Sequence, residues 1–232
     1  MSPKKPSGNP AKQAEQALTV KQQREAKRAE KLAEYQRQVA KRRRTGIMWW
    51  VVGGVAALAV VGVVVASIVF QPAPRPTYEA GAGSGAQIEG VETFSHDTSH
   101  VEGTVDYEQS PPAGGPHNQY WLNCGEYSQP QQNEYAVHSL EHGAIWVTYD
   151  PELVQGEDLD TLRSYMPSSY YILSPYEGMD SPVTLSAWNS QLKVDSVDDE
   201  RIPQFFEEYW RSDQAPEPNA VCTGAIDGEG RV

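Results

Sequence analysis

The chain has 232 residues, and its formal net charge of -12 is divided unevenly along its length. Residues 1–46 carry 13 Lys and Arg against 4 Asp and Glu, whereas residues 71–232 carry 6 against 27. This division across an uncharged stretch excludes an ordinary cytosolic globular protein. It also argues against nucleic-acid binding, because the basic residues form only a short arm beside an apolar segment. Two cysteines exclude a disulfide-rich scaffold and a four-cysteine zinc site.

Residues 1–46 are predicted to form a basic cytoplasmic helical arm. Within them, residues 11–44 contain neither Gly nor Pro and are rich in Ala, Glu, Lys, Gln and Arg, which favour helices. A topology signal alone explains this basic character. Binding to anionic lipid or to a partner complex is the alternative.

Residues 47–70 are predicted to form a single transmembrane helix. The segment has no charged residue, and its 24 positions reach roughly 36 Å as a helix, which is enough to cross a bilayer. Basic residues 41–44 precede it directly, and Trp49 and Trp50 lie at its N-terminal edge. These features predict a cell-membrane protein with a cytoplasmic N-terminus and an extracytoplasmic C-terminal domain. The long leader and long apolar run argue against a cleaved signal peptide.

Two further segments follow the predicted span. Residues 71–87 are rich in Pro, Gly and Ala and predict a linker that cannot bury a core. Residues 88–232 are enough for one acidic extracytoplasmic domain. Their patterns predict an α+β sandwich, a mixed sheet with helices packed on it. The predicted strands are residues 143–149, 170–173 and 183–188, and the predicted helices are residues 157–166 and 199–211.

All five histidines of the chain fall within 47 consecutive residues. Imidazole is the commonest transition-metal ligand, so this concentration predicts a copper or zinc site. His138 and His142 lie one turn apart on a short helix predicted between Asn133 and Gly143, where both can bind one ion. His117, on a rigid loop of Pro and Gly, is the third predicted ligand. Weaker candidates are Cys124, Glu141, His96 and His100. Histidines that merely satisfy buried carbonyls are the alternative.

The string His138-Ser139-Leu140-Glu141-His142 also fits the H-x-x-E-H pattern of one class of zinc peptidases. In such an enzyme Glu141 would activate a zinc-bound water. A third ligand would be needed, and Glu207 or Glu208 on the last predicted helix is the candidate. This hypothesis is the enzymatic alternative.

Cys124 has a second predicted use, a disulfide with Cys222. Oxidised thiols persist outside the cell, and two cysteines make one bridge. Closing a loop of nearly 100 residues is worth roughly 4–5 kcal/mol in the chain-entropy model. The disulfide is favoured, and ligation by Cys124 stays open.

Several strings resemble one known family. They are Pro111-Pro112 with Gly115 and His117, Cys124-Gly125 with Tyr127, residues 136–143, and a tail formed by residues 215–218 and 222–224. On these residues the chain resembles the bacterial membrane-anchored proteins described as domain of unknown function 3105. The likeness covers most of residues 90–225, with departures at Ala113-Gly114 and Ala225. It implies no established activity. Some similar proteins look like accessory subunits of the respiratory cytochrome bcc-aa3 supercomplex.

The sequence therefore predicts a single-pass, non-enzymatic extracytoplasmic protein that binds copper or zinc. The resemblance adds the role of accessory subunit in a membrane complex, with respiratory supercomplex subunits and the lipid bilayer as partners. A purely structural accessory subunit without metal and a zinc-dependent hydrolase are the alternatives.

Overall fold

The computed structural model describes residues 10–71, 74–84 and 88–232, with side chains from residue 20 onwards. The chain divides into two compact units, Met1–Pro72 and Ala73–Val232. The described part of the first unit forms the helix α1, Pro10–Val69. Its C-terminal part is long and apolar enough to cross a membrane, and its described apolar side chains are exposed. From Pro10 onwards the predicted arm and span are thus one continuous helix, since Gly46 between them costs only about 1 kcal/mol in a helix. Residues 1–9 of the predicted arm lie outside the described residues.

The second unit is built on a mixed six-stranded sheet, in the order β1-β6-β5-β3-β4-β2. β3 is parallel to β4 and β4 to β2, and the other neighbours are antiparallel. This confirms the predicted α+β class. The strands are β1 Val91–Thr93, β2 Gly125–Glu126, β3 Ile145–Tyr149, β4 Tyr171–Pro175, β5 Val183–Ala187 and β6 Ser190–Val194. The helices are α2 Asn133–Glu141, α3 Glu157–Ser164 and α4 Arg201–Tyr209.

Helices α2 and α4 cover opposite faces of this sheet. Successive side chains of a strand point to opposite faces, and β3 shows the consequence. Val147 packs in one buried cluster with Phe205 of α4. The next residue back, Trp146, packs in a second cluster with Leu140 of α2. The central strand is therefore buried on both sides, and side chains carried by α2 are separated by the sheet from those carried by α4.

The predicted strand 183–188 is in fact the first half of a hairpin. β5 ends at Ala187, and Asn189, with φ +63°, turns the chain into β6. Asn adopts this left-handed conformation more readily than most residues because its short amide side chain bonds locally. Strands β1, β2 and β6 were not predicted from the sequence, because β1 and β2 have only 3 and 2 residues and β6 mixes polar and apolar residues.

Residues 74–84 pack against the domain, which differs from the predicted spacer. The ring of Tyr78 stacks on Phe206 with centroids 5.1 Å apart, and its hydroxyl donates to the Tyr165 carbonyl at 3.0 Å. A Cβ on Gly81 would lie 2.0 Å from the Glu208 carbonyl oxygen. Glycine here permits close backbone approach, so a composition typical of flexible linkers forms an ordered contact instead.

Candidate metal centre

Helix α2 carries His138 and Glu141 into the domain interior, and His142 follows it directly as the C-cap residue. The helix ends at Glu141, and Gly143, with φ +90°, lets the chain turn at once into the central strand. His138, Glu141 and His142 are all buried. The predicted one-turn spacing places the two histidine rings together, with centroids 4.6 Å apart.

The His138 and His142 rings meet through their Nε2 atoms, which are 3.0 Å apart. His138 Nδ1 lies 2.7 Å from the Asn118 carbonyl, and His142 Nδ1 lies 2.7 Å from the Val221 carbonyl. A carbonyl oxygen only accepts, so both Nδ1 atoms donate. In neutral rings this leaves a lone pair on each Nε2, and the two lone pairs face each other.

His117 and Glu141 form a second close contact. The His117 Nδ1 donates to the Gly115 carbonyl at 2.7 Å, and its Nε2 lies 2.9 Å from Glu141 Oε2. The side chain of His117 is fully buried. Because Nδ1 already carries a proton, this contact with a carboxylate requires a cation at Nε2, either a second proton or a metal ion.

Two partly exposed side chains complete the surroundings. The His100 Nε2 is 3.8 Å from Glu141 Oε2, and this side chain is 47% exposed. Glu217 Oε2 is 3.5 Å from His142 Nε2, and this side chain is 57% exposed. The Glu217 backbone N–H donates to the Glu141 carbonyl at 3.0 Å, which holds the tail beside the helix.

Among the described residues, the potential ligand atoms form two groups that share His138, and within each group they lie within 4.8 Å of one another. The first group is His100, His117, His138 and Glu141. The second is His138, His142 and Glu217. Four imidazoles and two carboxylates are thus concentrated at one edge of α2, and nitrogen with carboxylate oxygen is a donor set that zinc and copper accept.

Burial and hydrogen bonding shift the pKa values of His138, Glu141 and His142. Burial lowers the pKa of His138 to about 4, although its bond to the Asn118 carbonyl acts in the opposite direction. Burial also lowers the pKa of His142. For Glu141 burial acts to raise the pKa, but the hydrogen bond from His117 and the neighbouring imidazoles outweigh it, and the pKa is lowered. Neutral imidazole and ionised carboxylate are the forms that bind metals.

Aromatic rings line the site. The Trp121 ring lies 5.1 Å from that of His142, and the Trp188 ring lies 5.6 Å from that of His117. Trp188, the last residue of the predicted strand 183–188, lies just after β5 in the turn of the hairpin. Such an apolar surround limits solvent access and strengthens electrostatic interactions within the site.

Two of the weaker sequence candidates lie outside both groups. The ring nitrogens of His96 contact the side-chain oxygens of Asn189 at 2.8 Å and Gln109 at 3.0 Å. Cys124 is bonded to Cys222, with Cα atoms 5.4 Å apart. The predicted disulfide is therefore present, and Cys124 offers no thiolate to a metal.

The prediction that Glu207 or Glu208 supplies the third metal ligand of the enzymatic alternative was wrong. Glu207 and Glu208 belong to α4, on the far face of the sheet, and Glu208 Oε1 accepts a hydrogen bond from Ser84 Oγ at 2.7 Å. Glu217 stands near the histidines in their place. Residues 215–218 belong to one of the strings on which the chain resembles the family. Glu217, a carboxylate between two prolines in that string, is the sequence signal that could have identified this ligand.

Acid is expected to destabilise the metal-free domain through His138. Its pKa is about 4 in the folded protein against an ordinary 6.5, so the unfolded chain takes up the proton first as the pH falls. The contribution of His138 to the free energy of unfolding is fully retained above pH 6.5 and is lost progressively as the pH falls towards 4. The total loss is about 3 kcal/mol. Denaturant unfolding of the chelator-treated full chain at several pH values measures this. His138→Gln should have a flatter profile over the same range, and equal slopes would contradict the assignment to His138.

The fold and site define a class: an α+β protein with a long apolar N-terminal helix and a candidate metal centre of histidines and carboxylates. The chain belongs to the family described as Protein of unknown function (DUF3105), whose model matches residues 100–224. The matched region contains every member of both ligand groups and both cysteines, whereas His96 precedes it. No curated protein matches the chain, and no solved structure does.

Proposed function

We propose that this chain is a membrane-anchored protein whose extracytoplasmic domain binds a transition metal ion, copper or zinc. The observation that carries the proposal is the 3.0 Å contact between His138 Nε2 and His142 Nε2, with both Nδ1 atoms already bonded to carbonyls. Two lone pairs cannot satisfy each other, and a cation between them does. Nitrogens bonded to tetrahedral zinc at about 2.0–2.1 Å are about 3.3 Å apart, so a small adjustment suffices.

The purely structural alternative explains only half of this geometry. Histidines that pack by bonding carbonyls account for the Nδ1 contacts of His117, His138 and His142. They give no reason for the Nε2 atoms of His138 and His142 to face each other, or for His117 Nε2 to contact the buried carboxylate of Glu141. In metal sites, a ligating histidine almost always donates its other N–H to a carbonyl, carboxylate or water, which fixes the ring. All three buried histidines have this arrangement.

The membrane location is supported by α1 and by the charges on either side of its apolar part. Residues 1–46 have an excess of nine positive charges, and residues 71–232 have an excess of 21 negative ones. A basic flank on the cytoplasmic side is the usual arrangement of a single-span protein. The acidic second unit would then lie outside the cytoplasm, where a disulfide persists.

An accessory role in a membrane complex, with respiratory supercomplex subunits as partners, is the second part of the proposal. It rests on the family resemblance and the membrane anchor. Purification of a tagged chain from gently solubilised membranes tests it. Enrichment of haem-containing subunits is the expected result, and recovery of the chain without them would contradict it.

A zinc hydrolase is the second candidate function. His138, His142 and Glu217 match the two-His, one-Glu ligand set of several zinc peptidases. Glu141 does not have the freedom of a general base, because its Oε2 is held 2.9 Å from His117 Nε2. A hydrolase predicts that Glu141→Gln abolishes cleavage while zinc is retained, whereas a ligand role for Glu141 predicts loss of metal.

Metal analysis of the full chain in detergent tests the main proposal. The wild-type protein, purified without chelator, is expected to contain zinc or copper, and the His138→Ala, His142→Ala double variant is expected to contain less. Glu229→Gln, an exposed carboxylate outside both groups, serves as the control and should match the wild type. A wild-type chain that neither retains nor takes up either metal would eliminate both the metal-binding and hydrolase functions.

A further inference from the structure

We infer that the centre holds two metal ions rather than one, an inference that rests on the proposed function. One ion is bound by His100, His117 and Glu141, and the other by His138, His142 and Glu217. Each set consists of two imidazoles and one carboxylate.

The spread of the ligand atoms argues against a single ion. Metal–ligand bonds of about 2.0–2.2 Å keep any two ligand atoms of one ion within about 4.4 Å of each other. The six ligand atoms form two groups of mutual neighbours instead of one, even at a 4.8 Å limit. His142 and Glu217 belong only to the second group, so one ion cannot bind all six side chains in this geometry.

His138 belongs to both groups, and distances assign it to one of them. Its Nδ1 is engaged by the Asn118 carbonyl, so only Nε2 is free to bind an ion. That atom is 3.0 Å from His142 Nε2 but 4.0 Å from Glu141 Oε2. His138 therefore pairs with His142. The first set keeps His117 and Glu141, whose ligand atoms are 2.9 Å apart, and His100 completes it.

The two sets have the same construction. His117 and Glu141 are buried ligands of the first, and His138 and His142 are buried ligands of the second. Each set is then completed by one partly exposed side chain, His100 or Glu217, with side-chain exposures of 47% and 57%. Two buried ligands fix an ion, and one accessible ligand provides an entry path.

Three protein ligands per ion leave coordination positions for water or for a bridging hydroxide. Paired ions about 3.5–4 Å apart commonly share such a bridge in two-metal proteins. Glu141 Oε2 and His138 Nε2, ligand atoms of the two different sets, are 4.0 Å apart, so the two sets adjoin each other. The surplus of 21 negative charges on residues 71–232 favours accumulation of cations at this site.

The test is the stoichiometry of Zn²⁺ binding to the full chain in detergent. Bound metal is first removed, and Zn²⁺ binding is then measured by competition with a chromogenic chelator. Two equivalents are expected for the wild type. Glu217→Gln and His100→Gln, both at accessible positions, should each weaken one binding step by at least about tenfold and leave the other unchanged. Glu177→Gln, an exposed carboxylate outside both sets, is the matched control and should retain two equivalents.

One equivalent in the wild type would overturn this inference while leaving the proposed function intact. So would an equal weakening of the same single step by Glu217→Gln and His100→Gln. Binding of no ion would overturn the proposed function as well. Cu²⁺ provides a second readout, since two ions this close should show magnetic coupling in electron paramagnetic resonance, and Glu217→Gln should leave an isolated-ion spectrum.

Discussion

Replacing Cys124 and Cys222 with alanine is expected to lower the free energy of unfolding by about 4–5 kcal/mol. The two residues are separated by 98 positions in the chain, and a crosslink across about 100 residues removes that much loop entropy from the unfolded state. A loss this large is comparable to the whole stability of many domains. Denaturant unfolding of the full chain in detergent, followed by tryptophan fluorescence, measures it.

The disulfide also fixes the tail that reaches the metal centre. Beside it, the Cys124 backbone N–H donates to the Cys222 carbonyl at 2.7 Å, and the Val221 carbonyl accepts from His142 Nδ1. Release of the tail should therefore weaken metal binding at His142 and Glu217 by about 10–100-fold, the usual effect of losing an orienting partner. Wild-type protein in reductant should behave like the double variant. Unfolding free energies within 1 kcal/mol of the oxidised wild type would contradict the chain-entropy account.

Each bound zinc ion is expected to raise the free energy of unfolding by about 4 kcal/mol at a free concentration 1,000 times its dissociation constant. The reason is that folding alone brings together ligands as distant in the chain as His138 and Glu217, so the ion binds the folded state far better than the unfolded chain. The measurement is unfolding at a series of buffered zinc concentrations.

The His138→Ala, His142→Ala variant separates this effect from non-specific binding. It should lose at least half of the zinc-dependent stabilisation, and a chelator should remove the stabilisation from the wild type. Magnesium, which prefers oxygen ligands, is the control ion and should have little effect. Equal stabilisation of wild type and variant by zinc would show that the ion acts elsewhere.

Local sequence patterns predicted the elements with strong periodicity. The apolar run after Ile47, the β-branched strand ending at Tyr149 and the helix carrying His138 and His142 each follow from short-range rules. The structure confirms these elements with ends shifted by a few residues. The hairpin at Trp188 and the packing of Gly81 on α4 were not predicted from the sequence, because both depend on which surfaces meet in space.

For the site, the sequence determined which chemistry is present. It contains five histidines in 47 residues, two of them one helical turn apart, and two cysteines that can form one disulfide. Helical geometry fixes the spacing of His138 and His142 wherever the helix lies. Only the tertiary structure decided the remaining partners. The sheet separates Glu207 and Glu208 from the histidines, while the tail places Glu217 beside His142. His96 contacts Asn189 instead of joining the site. Contacts between residues far apart in the chain depend on the packing of whole layers, which a local pattern does not encode.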